Sequence, residues 1–460
     1  MHMRPRHPAT DTSATPPRPA TDDENGAPSP RVDGAAKGSG VRGQTILAAL
    51  ASLLSGVLNA GILAICSRGG QTDELAAYAV MTAALTWVSV LATGGTAMLY
   101  ASGDERECAA IRSQRVLVVS PLLIVSAVAV SLFYIDRGYG TAALAAAALG
   151  TIGNNFTQLQ FSDLYRQFRF VAASVVMVGS RLVGVAMVLV GVPLTVALAG
   201  ATALQLVTAE ALVCRDAAMR RGRWRGFSLR SAAAAFRMNG HLLSCSLAEV
   251  FTGRSGGIVL SMVASPHVVG SYAAVNGVYQ ALAAVVYQGL RVPMAVRVRR
   301  RHGLGAHGSV RESEVMVVVV AALTGAAGWM LAPWLSTAVL GLTVPATDTA
   351  LGLFLLALPF LTVNRAIGLA RLGDGDYPAG ARLALLTAGL AGLALLVQAP
   401  RIGPVGAAVA TLAGEALTTV VVGGFLGYLA LRSRRRRRLP EPSRSAARPA
   451  ERASGVTSRS

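Results

Sequence analysis

The sequence predicts an all-α polytopic membrane protein: twelve transmembrane helices in two pseudo-symmetric six-helix bundles around a central cavity. Three observations predict it. The first is composition, since 53% of the 460 residues are hydrophobic and only 14% are charged, an apolar balance for a chain of this size. The second is charge placement. Of the 42 Lys+Arg residues, Arg68, Arg137 and Arg401 fall in one set of alternate gaps between apolar stretches, and Arg181, Arg254 and Arg365 fall inside them. The others sit in the opposite gaps and the two tails. Short loops rich in arginine stay on the cytoplasmic side, so both termini are expected there. The third is internal likeness: Tyr78-Ala79 and Gly95 recur, with the same spacing, as Tyr272-Ala273 and Gly289. Val192-Pro193 with Ala197 is echoed by Gly403-Pro404 with Ala408.

In chain order, residues 1–43 are rich in Pro, Ala, Asp, Ser and Gly without an apolar period, which predicts a disordered cytoplasmic tail. No cleavable signal peptide is expected, because the first apolar run begins near residue 44 and is already full length. A helix crossing about 30 Å of hydrocarbon needs roughly 20 residues. Spans are expected at 44–67, 75–101, 116–135, 141–162, 170–190 and 193–213, then at 238–263, 267–290, 315–338, 349–370, 383–399 and 403–431. Runs this continuous lack the alternation of a membrane barrel. The first bundle is therefore 44–213 and the second 238–431, joined by a basic linker, 214–237. In that linker Trp224, Phe227 and Phe236 alternate with arginines, as in segments that lie on a membrane surface. The tail from 432 opens with Arg434, Arg435, Arg436, Arg437 and Arg438, a polybasic membrane-surface segment before a disordered end. The outer loops are very short (68–74, 136–140, 191–192, 264–266, 339–348, 400–402) and leave no room for a catalytic domain.

A net charge of +19 invites a nucleic-acid reading, but topology accounts for it, and the expected anionic partner is the inner-leaflet lipid. Nucleic acid is not an expected partner. Cys66, Cys108, Cys214 and Cys245 are scattered without metal-ligand spacing. No metal, no cofactor and no catalytic residue is expected.

Gly256 to Arg297 (GGIVLSMVASPHVVGSYAAVNGVYQALAAVVYQGLRVPMAVR) has a small-residue turn at Gly270-Ser271-Tyr272 and then a helix ending in Pro293 before a basic loop. It resembles the seventh and eighth helices of the multidrug/oligosaccharidyl-lipid/polysaccharide (MOP) flippase superfamily. Gly403-Pro404-Val405-Gly406-Ala407-Ala408, opening the last helix, and the run Asp163 to Phe170 are similar to that family too. The resemblance covers about residues 44–432, and the polysaccharide-transporter branch, with its O-antigen and teichoic-acid exporters, is the nearest. It implies a non-enzymatic flippase of lipid-linked oligosaccharide in a bacterial inner membrane, working by alternating access alongside polysaccharide-assembly enzymes. The alternatives are a drug/cation antiporter of the same superfamily and a membrane glycosyltransferase using Asp73-Glu74 in the first outer loop.

Charges inside a bilayer are costly and usually face a cavity. Arg181, Glu210, Glu249, Arg254, Arg365 and Glu415 are such charges. Glu210 and Arg365 lie near the inner end, where long side chains snorkel. Arg181 and Arg254 are the expected substrate-binding cations, since a guanidinium binds two phosphate oxygens at once and a pyrophosphate linker is the costliest part of such a substrate to carry. Asn276 and Gln280, at i and i+4, share a face and are expected to meet sugar hydroxyls, with interhelical bonding the competing role. Glu249 and Glu415 are the expected ion-coupling carboxylates.

Overall fold

The computed structural model describes residues 41–94, 105–166, 169–215, 224, 226–237, 240–301, 310–344 and 346–438. The tails 1–40 and 439–460 lie outside them, as does Gly95 of the internal likeness. The elements are α1 (Val41–Arg68), α2 (Thr72–Thr93), α3 (Glu105–Ile135), α4 (Thr141–Arg166), α5 (Phe170–Leu189) and α6 (Leu194–Cys214). A short α7 (Leu229–Arg237) follows, then α8 (Gly240–Val263), α9 (Pro266–Arg301), α10 (Val310–Val339), α11 (Thr347–Gly373) and α12 (Tyr377–Arg438). No strand occurs among the described residues.

Nine stretches among the described residues are long and apolar enough to cross a membrane, and the chain is a multi-pass membrane protein. The expected number of twelve is not confirmed. α4 and α8 have the length but are more polar, through Asn154, Asn155, Gln158 and Gln160 in one and Glu249, Thr252, Arg254 and Ser255 in the other. The stretch Pro378–Gly424 counts once, although α12 breaks at Ile402 and Gly403 into two arms. Gly403 adopts φ 57°, ψ −132°, which a side chain would resist. It sits between Pro400 and Pro404, neither of which carries an N–H for the ladder.

Two expectations at the ends of elements are corrected. α12 does not stop near residue 431 but stays helical through Arg438, because a run of arginines is a good helix former. The linker is not all loop, since α7 folds within it, capped by the Ser228 hydroxyl accepting from the Ser231 N–H at 3.1 Å.

Contacts between helices repeat along the chain. In the first set α1 packs on α5, α2 on α4 and α4 on α6; in the second, α8 packs on α12, α9 on α11 and α11 on α12. Between the sets, α1 meets α9 and α2 meets both α8 and α9. Gly56 lies against Ala281, and at nearly the same shift along the chain Phe251 meets the Trp87 ring edge-on at 5.6 Å. These are the paired contacts a pseudo-twofold axis through the seam requires. Tyr272 and Tyr279 of α9 both pack on Phe354 of α11, at 6.0 and 5.1 Å between ring centroids. Gly256 leaves the room that the Tyr272 hydroxyl fills.

Candidate functional site: a charged cavity and an arginine on the seam

Within the second set, α8, α9, α11 and α12 line a small cavity of about 50 Å³. The sequence pattern predicts a cavity at the seam between bundles; the one described here lies inside the second set. Three charges converge on it. Arg365 of α11 reaches Glu249 of α8, Nη1 to Oε2, at 3.7 Å. Glu415, 2% exposed on the second arm of α12, accepts from the Asn364 amide at 2.7 Å. The same amide donates to the Glu415 carbonyl at 2.9 Å. Thr419 orients Asn364 by donating to its Oδ1 at 3.0 Å. Thr252 and Thr387 add hydroxyls to the wall. One carboxylate thus pairs with the guanidinium and the other with an amide on the wall of the same cavity, a set of groups suited to exchanging a proton or a small cation.

Arg365 does not snorkel as expected. It stands about two turns before the C-terminal end of α11 and turns sideways to Glu249, an opposite charge within reach. Glu210 is likewise partnered within the protein, accepting from Gln160 of α4 at 3.0 Å. An amide on the fourth helix thus donates to a carboxylate on the sixth in the first set, as Asn364 does to Glu415 in the second. Asn364 is not singled out by the sequence pattern; its position beside Arg365 was the available signal.

Arg254 and Arg181 are half-buried, and neither is joined by a hydrogen bond or ion pair to a described residue. They lie at similar distances, about 14 and 12 Å, from the C-terminal ends of α8 and α5. Arg254 lies about 20° around α8 from Ser261, which bonds across the seam to Tyr134 of α3 at 2.8 Å. Its side of α8 therefore faces the first set. Asn276 and Gln280 each donate to the Gly253 carbonyl, at 3.4 and 3.2 Å, and bind α9 to α8. The side chains of Arg434 to Arg438 lie outside the described residues.

The first set holds its own polar cluster near the inner end. Arg112 pairs with Asp163 at 3.3 Å, both buried; Arg115 donates to the Asn155 carbonyl at 3.2 Å; Gln114 donates to the Ala92 carbonyl at 2.9 Å. At the start of α2, Glu74 accepts from the Thr195 N–H at 3.1 Å, and Gln71, just before it, from the Leu194 N–H at 3.2 Å. These side chains cap α6, whose first N–H groups lack intrahelical partners and favour negative charge. Glu74 is thereby committed to a structural bond.

At the end where α2 and α9 begin, the two sets are bonded to each other. Thr72, opening α2, meets His267, opening α9, at 3.1 Å, where Gly270 allows the Thr72 backbone to approach. Tyr134 bonds Ser261, Arg137 donates to the Ser261 carbonyl at 3.3 Å, and the Ser67 hydroxyl donates to the Leu340 carbonyl. Among the described residues, no group of three or more His, Cys, Asp or Glu could hold a metal ion.

Among solved structures, the chain is similar to the lipid II flippase MurJ in an inward closed conformation, at 12% identity and a TM-score of 0.60, covering 82% of this chain and 87% of that one. It is similar also to the MATE multidrug transporter DinF-BH in complex with R6G, at 14% identity and 0.53, covering 83% and 94%. A third is the eukaryotic MATE transporter AtDTX14, at 15% identity and 0.50, covering 84% and 95%. No protein-family model matches the sequence, and comparison with curated proteins gives no match. The chain has the fold shared by these transporters.

Proposed function

We propose that this protein is a flippase of lipid-linked oligosaccharide in a bacterial inner membrane, with both termini cytoplasmic, in which the two helix sets, 44–213 and 238–431, alternately expose a site on their seam. The observation that carries the reading is Arg254. A guanidinium midway through α8, directed at the seam and without an ion partner among the described residues, is costly unless water or an anion meets it. A pyrophosphate linker offers two oxygens to its planar fork, and Arg181 at matching depth is the second candidate anchor. The likeness to MurJ supports the same substrate class. The outer bonds Thr72–His267 and Tyr134–Ser261 correspond to a state closed outward. The test is flipping of a fluorescent polyprenyl-pyrophosphate sugar by purified protein in liposomes. Arg254→Gln is expected to slow it about ten- to a hundredfold, the worth of one charge-assisted bond pair, with the fold intact. Unchanged flipping would overturn the assignment.

The cavity favours a second reading, a drug/cation antiporter, because Glu249 and Glu415 face one shared space. Under it, Glu415→Gln abolishes cation-driven dye efflux, and no sugar lipid is flipped. A glycosyltransferase reading loses support, since Glu74 caps α6.

A further inference from the structure

We infer that α7, with Trp224 just before it, is a docking element for anionic phospholipid headgroups of the inner leaflet, carried by the first helix set alone. At about 100° per residue, the nine-residue helix has three faces in succession. Ala232 and Ala235 are buried, at 1% and 0% exposed, and α7 packs on the start of α3. The Ser228 N–H donates to the Ser113 hydroxyl of α3 at 3.2 Å, and Gly226 stands beside Ala109. Leu229, Ala233 and Phe236 fall within about 60° of one another on the neighbouring face. Leu229 is 69% exposed and Phe236 45%. Arg230 lies about 100° beyond Leu229 and is exposed too.

A helix buried on one face, apolar on the next and cationic on the third fits one place, the boundary between acyl chains and headgroups. Its position agrees. The stretch of α3 beyond α7 presents exposed Ile124, Val125, Val128 and Leu132, a lipid-facing surface, so α7 sits where that surface meets the inner end. Trp224, 52% exposed and edge-on to Phe227 at 5.1 Å, adds an aromatic of the kind that sits at headgroup level. Arg230 and the exposed Arg215 at the end of α6 complement anionic rather than neutral lipid. This assignment is independent of what the protein transports.

The test uses the full chain with Trp87→Phe, Trp329→Phe and Trp334→Phe, so that Trp224 alone reports. The protein is placed in nanodiscs of phosphatidylcholine, with and without phosphatidylglycerol. Trp224 emission is expected to shift to the blue as phosphatidylglycerol is added. Doxyl-labelled lipid is expected to quench it at least twofold more than aqueous acrylamide does, and Arg230→Glu or high salt removes the phosphatidylglycerol dependence. Water-like emission quenched by acrylamide in both discs overturns the docking. Lipid quenching indifferent to phosphatidylglycerol overturns the headgroup recognition. Hydrogen exchange at 224–237 on the unaltered chain tests the inference without substitutions: protection that rises with phosphatidylglycerol supports it, and equal protection refutes it.

Discussion

Glu415 is held by an amide whose two ends are both occupied, one toward the carboxylate and one toward Thr419. Replacing Asn364 with Leu removes the donor and leaves the buried carboxylate without it. Unfolding in detergent is expected to show a loss of about 1–3 kcal/mol, the usual cost of stranding a buried polar group. Asn364→Asp, which sets a second carboxylate against the first, is expected to be worse at neutral pH than at acid pH. Little of this was legible in the sequence. The intramembrane charges could be picked out one by one, because an ionisable residue in an apolar run is conspicuous. Their pairing could not, because Glu249 and Arg365 meet across the cavity between α8 and α11, two helices that each pack on α12, and a sequence position gives depth along a helix but not the neighbour it faces. The same blindness left Asn276 and Gln280 undecided between sugar and helix partners, and here both reach the Gly253 carbonyl.

α12 is two rods joined at Ile402 and Gly403, and the joint depends on a backbone conformation that only glycine adopts without strain. Gly403→Ala is expected to cost about 1–3 kcal/mol and to alter the angle between arms, read as a lowered melting temperature with a changed exchange pattern around 398–408. At this scale the sequence was informative where apolar length decides, and α1, α5, α6 and α11 lie close to the expected spans. It was less so at boundaries that depend on something other than hydropathy. α7 hid in a loop because its apolar stripe is only a few alanines wide, and the end of α12 hid because helix propensity continues after hydropathy stops.

For the whole molecule, the recurring pairs of helices give the seam between sets its form, and the outer bonds hold one end of it shut. Joining Thr72→Cys to His267→Cys, in a chain whose native cysteines are replaced, is expected to fix that end closed once oxidised. Transport would cease in the oxidised protein and return on reduction, measured in the same liposomes before and after thiol. Activity unaffected by a verified crosslink would show that the outer end need not part. The fold itself was readable: long apolar helices pointed to an all-α membrane protein, Gly256 to Arg297 and Gly403 to Ala408 carried the resemblance to the flippase fold, and α2 and α9, which carry the repeated Tyr-Ala motif, begin side by side at Thr72 and His267. The cavity inside the second set was not readable, because enclosed space is a property of how helices splay. The unbroken arm that runs from Pro404 to Arg438 is about 50 Å long. A stiff boom of that length, pivoting at Gly403, converts a tilt of about 10° into a sweep of roughly 9 Å at its far tip. Whatever grips the terminal arginines would act as a brake on the pivot, so the composition of the bilayer surface would set how fast the machine cycles.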